Sequence, residues 1–345
     1  MPDGSHPRLL AMTQAPRRAL LICNPNARSG AVPLDAVRAA LRAGGIEPIE
    51  PPPGADCREA IHARAGDVDL AIIGGGDGTL NAAAPALVEA RLPFGILPLG
   101  TANDLARSLG LPLDPLAAAR LIPTAQVHPV DLGWVNGHYY FNVASVGFSA
   151  ELAGELTAES KQRWGVLGYG VAAWRVLRRV RPFTVTVEHG DGTVEKITTI
   201  QVSVGNGRHY GGGMTVADTA TVDDGKLDFY SLEIDHWWRL LALLPALRRG
   251  THGRAQDVRA FHTREIRITT KRPRPVNTDG ELTTHTPAHF KVFPKILQVY
   301  APAPADRPGP FDLSALGSRL LSSVSLPTGA DPARDGAPQS RTPRP

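Results

Sequence analysis

The sequence has only two cysteines among 345 residues, too few for a disulfide framework. It also has no uninterrupted apolar run of about 18 residues, the length that a membrane-spanning helix needs. The strongest apolar stretch, residues 237–247, is interrupted by Arg239 and Pro245. No long apolar segment follows the basic residues near the N-terminus, which predicts no secretory signal. We therefore expect a reduced, cytoplasmic protein.

Charge of one sign is not in large excess, because the net charge is only +4. Mild basicity suits an anionic partner, but nothing else in the sequence indicates a nucleic-acid-binding protein. A hydrophobic content of 42% and a charged content of 20% are typical of a globular protein with a real core. The length favours two domains. Residues 1–16 and the Pro- and Ala-rich residues 302–345 have the composition of disordered tails.

The first half of the folded region alternates short apolar runs with helical patterns. "ALLIC", "VDLAIIGG" and "FGILPLG" are typical of buried strands, whereas "PLDAVRAALRAGG" and "CREAIHARA" predict helices. This alternation predicts an α/β domain with a parallel sheet over residues 17–130.

After Val130 the pattern changes to β-branched and aromatic runs separated by turn residues, such as "PFTVTVEH", "KLDFYSLE" and "EIRITT". They predict an antiparallel β-sandwich over residues 131–301, interrupted by two helical segments near 151–179 and 236–249. The fold class is therefore α/β with two domains: an N-terminal parallel-sheet nucleotide-binding domain and a C-terminal antiparallel β-sandwich.

"IIGGGDGTLN", residues 72–81, places four glycines directly after an apolar strand. Glycines at this position let main-chain N–H groups approach an anion, and the following helix N-terminus favours negative charge. The spacing is neither that of the P-loop nor that of the dinucleotide fingerprint. A plain tight turn would also use such glycines.

Two further loops of the same kind follow neighbouring strands: "NPNARSG", residues 24–30, and "PLGTANDLAR", residues 98–107. Because the carboxyl ends of parallel strands lie at one edge of a sheet, the three loops should converge there. Their small and polar residues predict a mononucleotide site.

These motifs together resemble the diacylglycerol kinase catalytic domain family, specifically its bacterial lipid kinase branch, with sphingosine and ceramide kinases as more distant relatives. The resemblance covers about residues 17–301. It implies that the α/β domain binds ATP, that the β-sandwich binds the lipid, and that the active site lies between them. One departure is Ala82, where the family usually has a glutamate.

The resemblance implies a set of ATP-binding residues in the three loops. They are Asn24, Ser29, Gly30, Gly75, Gly76, Asp77, Gly78, Thr79, Leu80, Asn81, Gly100, Thr101 and Asn103.

Two acidic turns in the second half also match the family. "TVDDGKLD" corresponds to a turn that holds a structural Mg²⁺ in the relatives, which implies the side chain of Asp224 and the carbonyls of Thr221 and Lys226 as ligands. "TDGE" corresponds to the turn of the catalytic aspartate, which implies that Asp279 accepts the proton of the lipid hydroxyl. Both turns are also typical of ordinary hairpin corners.

Asp77 lies among the amides expected to bind phosphate, where a carboxylate would repel a bare phosphate. It would fit there if it also reached a metal or the attacking hydroxyl, so Asp77 and Asp279 are both candidates for the catalytic base.

The segment "KQRWGVLGYGVAAWRVLRRVRPF", residues 161–183, combines tryptophans with arginines at helical spacing. This pattern is typical of a helix at an anionic membrane surface and equally of a helix packed on the sandwich.

The resemblance therefore implies an ATP- and Mg²⁺-dependent lipid kinase at the inner membrane face, with diacylglycerol as the leading acceptor; a homodimer is left open. The alternatives are an NAD kinase-like enzyme, which shares the Gly-Gly-Asp-Gly loop, and a non-catalytic nucleotide-binding regulatory module.

Overall fold

The computed structural model describes residues 17–24, 34–155, 181–206, 209–210, 214–215, 222–234 and 258–303. Several predictions fall outside these residues: the N-terminal tail, Ser29 and Gly30, the aromatic and basic segment up to residue 180, Thr221, the helical segment 236–249 and the C-terminal tail from residue 304.

The N-terminal half alternates strands and helices, as the sequence predicts. Its elements are β1 (Arg17–Cys23), α1 (Leu34–Ala43), β2 (Ile46–Ile49), α2 (Cys57–Arg64), β3 (Leu70–Gly75), α3 (Asp77–Ala90), β4 (Phe94–Pro98), α4 (Asp104–Ser108) and α5 (Pro115–Leu121).

These strands pair in parallel in the order β2-β1-β3-β4, which confirms the predicted parallel arrangement. Every residue of β3 and β4 is buried, because helices cover both faces of a parallel sheet. The register pairs Cys23 with Gly74 and Gly75 with Pro98, so β1, β3 and β4 end at the same level. The segments that follow them therefore start side by side.

The C-terminal half consists mainly of strands. Its elements are β5 (Gln126–Val135), β6 (His138–Tyr140), β7 (Val143–Gly147), α6 (Phe148–Glu155), β8 (Phe183–His189), β9 (Val194–Thr199), β10 (Gln201–Gly205), β11 (His209–Tyr210), β12 (Met214–Thr215), β13 (Leu227–Leu232), β14 (Val258–Thr263), β15 (Glu265–Thr270), β16 (Pro275–Thr278), β17 (Glu281–His285) and β18 (Ala288–Ala301).

Two sheets pack face to face in this half, which confirms the β-sandwich. One has the order β14-β13-β10-β7-β16-β17, and the other contains β18-β15-β8-β9 with β5 and β6. Val146, Val202 and Val276 from the first sheet and Val185, Ile268 and Phe290 from the second share one apolar core.

The long strand β18 joins the two halves of the molecule. It pairs antiparallel with β5 along most of its length and in parallel with β4 through Val299 and Phe94. The parallel sheet and one sandwich sheet are therefore one ten-stranded sheet. The predicted boundary after Val130 lies within β5, which belongs to this shared sheet. Within the described part of the chain, no helix combines the length and apolar character needed to span a membrane.

Candidate active site

The loop after β3, which contains Gly76, and the loop after β4, which contains Gly100, touch each other through their main chains. A Cβ built on Gly76 would lie 3.0 Å from the Cα of Gly100, and one built on Gly100 would lie 2.5 Å from the Cα of Gly76. Gly76 has an extended backbone (φ −96°, ψ −172°) as the N-cap of α3. Close approach of the two loops, and not a positive φ, therefore requires glycine at position 76.

Asp77 connects the loops through its carboxylate. Its two oxygens accept hydrogen bonds from the main-chain N–H groups of Asp104 and Leu105, both at 3.2 Å. These N–H groups belong to the first turn of α4, whose end would otherwise lack acceptors. A carboxylate among the glycines thus holds the second loop against the first, a role that the sequence alone did not reveal.

Asn24 and Asn103 complete the junction of the loops. The Asn24 side chain donates to Thr79 Oγ1 at 3.1 Å, and its main-chain N–H donates to Gly74 O at 2.8 Å. Asn103, at a left-handed φ of 50°, exchanges two 2.9 Å hydrogen bonds with the main chain of Gly100. The structure therefore brings Asn24, which is the described residue of the first loop, together with the glycines of the other two loops at one sheet edge.

A cavity of about 860 Å³ opens at this edge. Of the predicted nucleotide-binding residues it is lined by Asn24, Gly76, Gly78, Thr79, Gly100 and Thr101. Its volume lies within the range of small-molecule sites, about 300–1,000 Å³. Closely approaching glycines and the N-terminus of α3 suit the phosphates of a nucleotide.

The cavity has further lining residues that sequence reasoning missed. Asp56 and Cys57 lie at the start of α2, where the Asp56 carboxylate accepts the N–H groups of Arg58 and Glu59. Ala82 lines both this cavity and a neighbouring one of about 170 Å³, which also contains Asn81. An Asp before a helix is a capping signal in the sequence, but nothing local indicated that α2 faces the glycine loops.

Asp279 lies at the tip of the β16–β17 hairpin with a left-handed φ of 47°. Its carboxylate accepts the consecutive N–H groups of Phe141 (2.8 Å), Asn142 (3.1 Å) and Val143 (2.8 Å). Burial raises its pKa to about 6, although the N–H groups of Val143 and Phe141 act in the opposite direction. The negative charge of Asp77 raises the pKa further, so the two predicted carboxylates face the same region.

Glu281 brings the same hairpin against the first glycine loop. A Cβ on Gly78 would lie 2.7 Å from Glu281 Oε1, and Glu281 lines both cavities. The β16–β17 hairpin of the sandwich, which carries Asp279, therefore forms part of the wall of the 860 Å³ cavity. Sequence reasoning named Asp279 here but not Glu281.

The acidic turn at residues 222–226 is held by Asp131, a residue that sequence reasoning also missed. The Asp131 carboxylate is buried on β5 and accepts the N–H groups of Gly225 (2.6 Å) and Lys295 (2.7 Å). Its pKa is raised mainly by burial and also by the charges of Asp224 and Asp223. Its only signal in the sequence is a carboxylate within the apolar run "VDLGWV".

The predicted metal ligands Asp224 and Lys226 lie in this turn, where Asp224 Oδ1 accepts the Lys226 N–H at 2.9 Å. Where the chain is described, no three or more His, Cys, Asp or Glu side chains are grouped to hold a metal. A site here would therefore depend on main-chain carbonyls, as the prediction has it. Exposed carboxylate oxygens crowded by further negative charge fit a hard cation such as Mg²⁺.

Each half of the chain matches a different protein-family model. Residues 18–135 match the diacylglycerol kinase catalytic domain, and residues 142–301 match the YegS C-terminal NAD kinase beta sandwich-like domain. A diacylglycerol kinase of Mycobacterium tuberculosis is 31% identical over 277 residues, covering 76% of this chain and 88% of the relative. A probable lipid kinase YegS-like protein of Xanthomonas campestris is 34% identical over 247 residues, covering 68% and 79%.

A solved structure agrees with these matches. The crystal structure of a putative diacylglycerol kinase from Bacillus anthracis superposes with a TM-score of 0.72 at 28% identity. It covers 86% of this chain and 98% of its own.

Proposed function

Since the chain belongs to the diacylglycerol kinase family of lipid kinases, we propose that it transfers the γ-phosphate of ATP to a lipid hydroxyl, with diacylglycerol as the leading acceptor. Mg²⁺ is the proposed cofactor. The observation that carries the proposal is the meeting of the Asp279 hairpin with the glycine loops through Glu281 and Gly78. This contact brings the hairpin that carries Asp279, a carboxylate of raised pKa, to the wall of the cavity that suits a nucleotide.

In this proposal the glycine loops position the phosphates and Asp279 orients the lipid hydroxyl and accepts its proton. Phosphoryl transfer depends mainly on such positioning and on neutralising the phosphate charge, which Mg²⁺ would supply when bound. Three main-chain N–H groups fix the Asp279 carboxylate, so its direction is set before a substrate arrives. Asp77 holds the two glycine loops together, because its carboxylate accepts the N–H groups of Asp104 and Leu105.

Because the acceptor is a lipid, we expect the protein to work at the membrane surface on the cytoplasmic side. Flotation with vesicles of diacylglycerol and anionic phospholipid should carry part of the protein upward. If the protein stayed at the bottom of the gradient, stable binding to this membrane surface would be excluded.

The direct test is incubation with ATP labelled in the γ-phosphate, Mg²⁺ and a total lipid extract, followed by identification of the labelled product. We expect labelled phosphatidic acid, no product with EDTA, and no product from the Asp279→Asn variant. Parallel reactions should offer purified diacylglycerol, monoacylglycerol, ceramide and NAD. If NAD were the only acceptor that became labelled, the protein would be an NAD kinase and not a lipid kinase. If the protein bound ATP but transferred phosphate to no acceptor, it would be a regulatory module.

The pH dependence of turnover provides a test of Asp279. A base with a pKa near 6 loses its function when it is protonated, so we expect kcat to fall as the pH decreases through about 6. The stability contribution of the same group has the opposite sign. Since its folded pKa is raised above the usual value, that contribution is present below about pH 4 and is lost as the pH rises through about 6.

This pH dependence should be measured as kcat with saturating ATP between about pH 5 and about pH 8, together with melting curves at the same pH values. Intact melting curves on the acidic side would show that the fall in kcat is not due to unfolding. A constant kcat throughout this interval would exclude Asp279 as the proton acceptor.

The acidic turn gives a further prediction. If Asp224 with Thr221 and Lys226 holds a structural Mg²⁺, Asp224→Ala should raise the Mg²⁺ concentration needed for activity while the KM for ATP changes little. Asp223→Ala, in the same turn and with the same change of charge, is the matched control. Identical Mg²⁺ titrations for all three proteins would identify the turn as a solvated corner. In that case Asp224→Ala should change stability by no more than about 0.5 kcal/mol.

A further inference from the structure

We propose that Asn206 is a positioning residue for phosphoryl transfer, because its side chain fastens the main-chain segment that holds Asp279. The proposal rests on the kinase function inferred above. Asn206 follows β10 directly and is only 1% exposed. It lies outside the glycine loops, the acidic turn and the hairpin of Asp279.

Three hydrogen bonds connect Asn206 to the chain around the catalytic carboxylate. Its main-chain N–H donates to Asn142 O at 2.8 Å. Its side-chain NH₂ donates to Phe141 O at 2.9 Å and to Asp131 O at 3.1 Å. The buried Asn206 Oδ1 atom has no hydrogen-bond partner among the residues that the structure describes. The interaction of this side chain is therefore carried by its NH₂ group, which an alanine would remove.

The segment Phe141–Val143 is held from two sides. Its carbonyls at Phe141 and Asn142 bond to Asn206, and its consecutive N–H groups bond to Asp279. A peptide plane holds the carbonyl of one residue and the N–H of the next, so the bond to Phe141 O fixes the Asn142 N–H and the bond to Asn142 O fixes the Val143 N–H. The Asn206 side chain thus sets the direction of the Asn142 N–H, and its main chain sets that of the Val143 N–H, where both receive the Asp279 carboxylate.

The same NH₂ group extends this support to the acidic turn. It bonds to the carbonyl of Asp131, whose carboxylate accepts the N–H of Gly225. One buried amide therefore connects the segment that holds Asp279 with the strand that holds the acidic turn.

The test compares Asn206→Ala with Asn136→Ala. Asn136 is a suitable control because its side chain also makes several main-chain hydrogen bonds, to Pro287 O (2.9 Å), His285 O (3.2 Å) and the His289 N–H (2.9 Å). Its partners on β17, His285 and the Thr284 hydroxyl (3.3 Å), lie at the end of that strand away from Asp279, and none of its hydrogen bonds within the described chain goes to Phe141–Val143. Both variants should lose stability, but only Asn206→Ala should lower kcat, by about 10- to 100-fold, because small displacements of a reacting group are costly. Its KM for ATP should stay within about twofold.

A second measurement does not depend on activity. The pKa of the Asp279 carboxyl can be followed by ¹³C NMR, with Asp279→Asn used to assign the signal. We expect the pKa to rise in Asn206→Ala above the wild-type value of about 6, because loosened N–H donors stabilise the ionised form less. Asp77 and Tyr140 also face this carboxyl. Neither residue is changed in the variants, so a difference in pKa reports on Asn206.

Wild-type kcat and an unchanged Asp279 pKa in folded Asn206→Ala would overturn the proposal. If the alanine variant does not fold, Asn206→Ser, which keeps one donor, should give an intermediate kcat and an intermediate pKa; wild-type values in it would equally contradict us. A wild-type protein that phosphorylates no lipid would refute the proposed function instead. The pKa comparison would still decide the role of Asn206.

Discussion

Asp279→Asn is expected to abolish turnover while ATP affinity stays within about twofold of the wild-type value. The substitution removes the proposed proton acceptor, and loss of a general base typically costs about 10²–10⁴-fold in rate. The carboxylate bonds to Phe141–Val143, whereas none of the described nucleotide-loop contacts depends on it. This variant should therefore bind ATP normally but fail to transfer its phosphate.

The stability of Asp279→Asn should change little, because two effects oppose each other. Burial disfavours the ionised carboxylate, as its raised pKa shows, so replacing it by a neutral group removes that cost near neutral pH. The asparagine, however, offers only one acceptor oxygen to three N–H donors. We expect the melting temperature to move by only a few degrees.

The measurements are single-turnover phosphorylation, calorimetric titration with ATP and a melting curve. Asp114→Asn is the matched control, since the Asp114 carboxylate also accepts a main-chain N–H, that of Ala117 at the start of α5. It should keep full activity. If Asp279→Asn phosphorylated as fast as the wild type, another carboxylate would have to be the base, and Asp77 would be the first candidate.

The meeting of the predicted loops at one sheet edge could be foreseen because the sequence signals of each loop are local. Each loop can be recognised by glycines and polar residues directly after an apolar run. Parallel pairing then brings the carboxyl ends of these strands to one edge of the sheet. The role of Asp77 was not predictable in the same way. Its partners are the N–H groups of Asp104 and Leu105, and main-chain groups have no residue-specific signal.

The contacts that were missed join distant parts of the chain. Asp131 bonds to Gly225 and Lys295, which lie 94 and 164 positions further along. Glu281 reaches Gly78 from the opposite half of the protein, and β18 returns from the sandwich to pair with β4. Such pairings depend on how the sheets assemble, which single-strand patterns do not specify. The boundary predicted after Val130 therefore took no account of the ten-stranded sheet that crosses it.

Gly76→Val is expected to eliminate measurable ATP binding. A Cβ at this position would lie 3.0 Å from the Cα of Gly100, closer than ordinary Cβ contacts, and the two valine methyl groups add further bulk. The neighbour is main chain, so it cannot turn away as a side chain could. We expect the second loop to be displaced and the line of N–H groups that suits the phosphates to be lost.

Gly66→Val is the matched control, because a Cβ on Gly66 meets no atom within 4 Å and its φ is not positive. It applies the same substitution in the same domain and should leave ATP binding unchanged. Calorimetry should be combined with circular dichroism, since Gly76→Val must be folded for its loss of binding to be meaningful. If it is not folded, Gly76→Ala provides a milder form of the same contact and should weaken ATP binding in a folded protein. Wild-type affinity in a folded Gly76 variant would show that the phosphates do not lie against this loop.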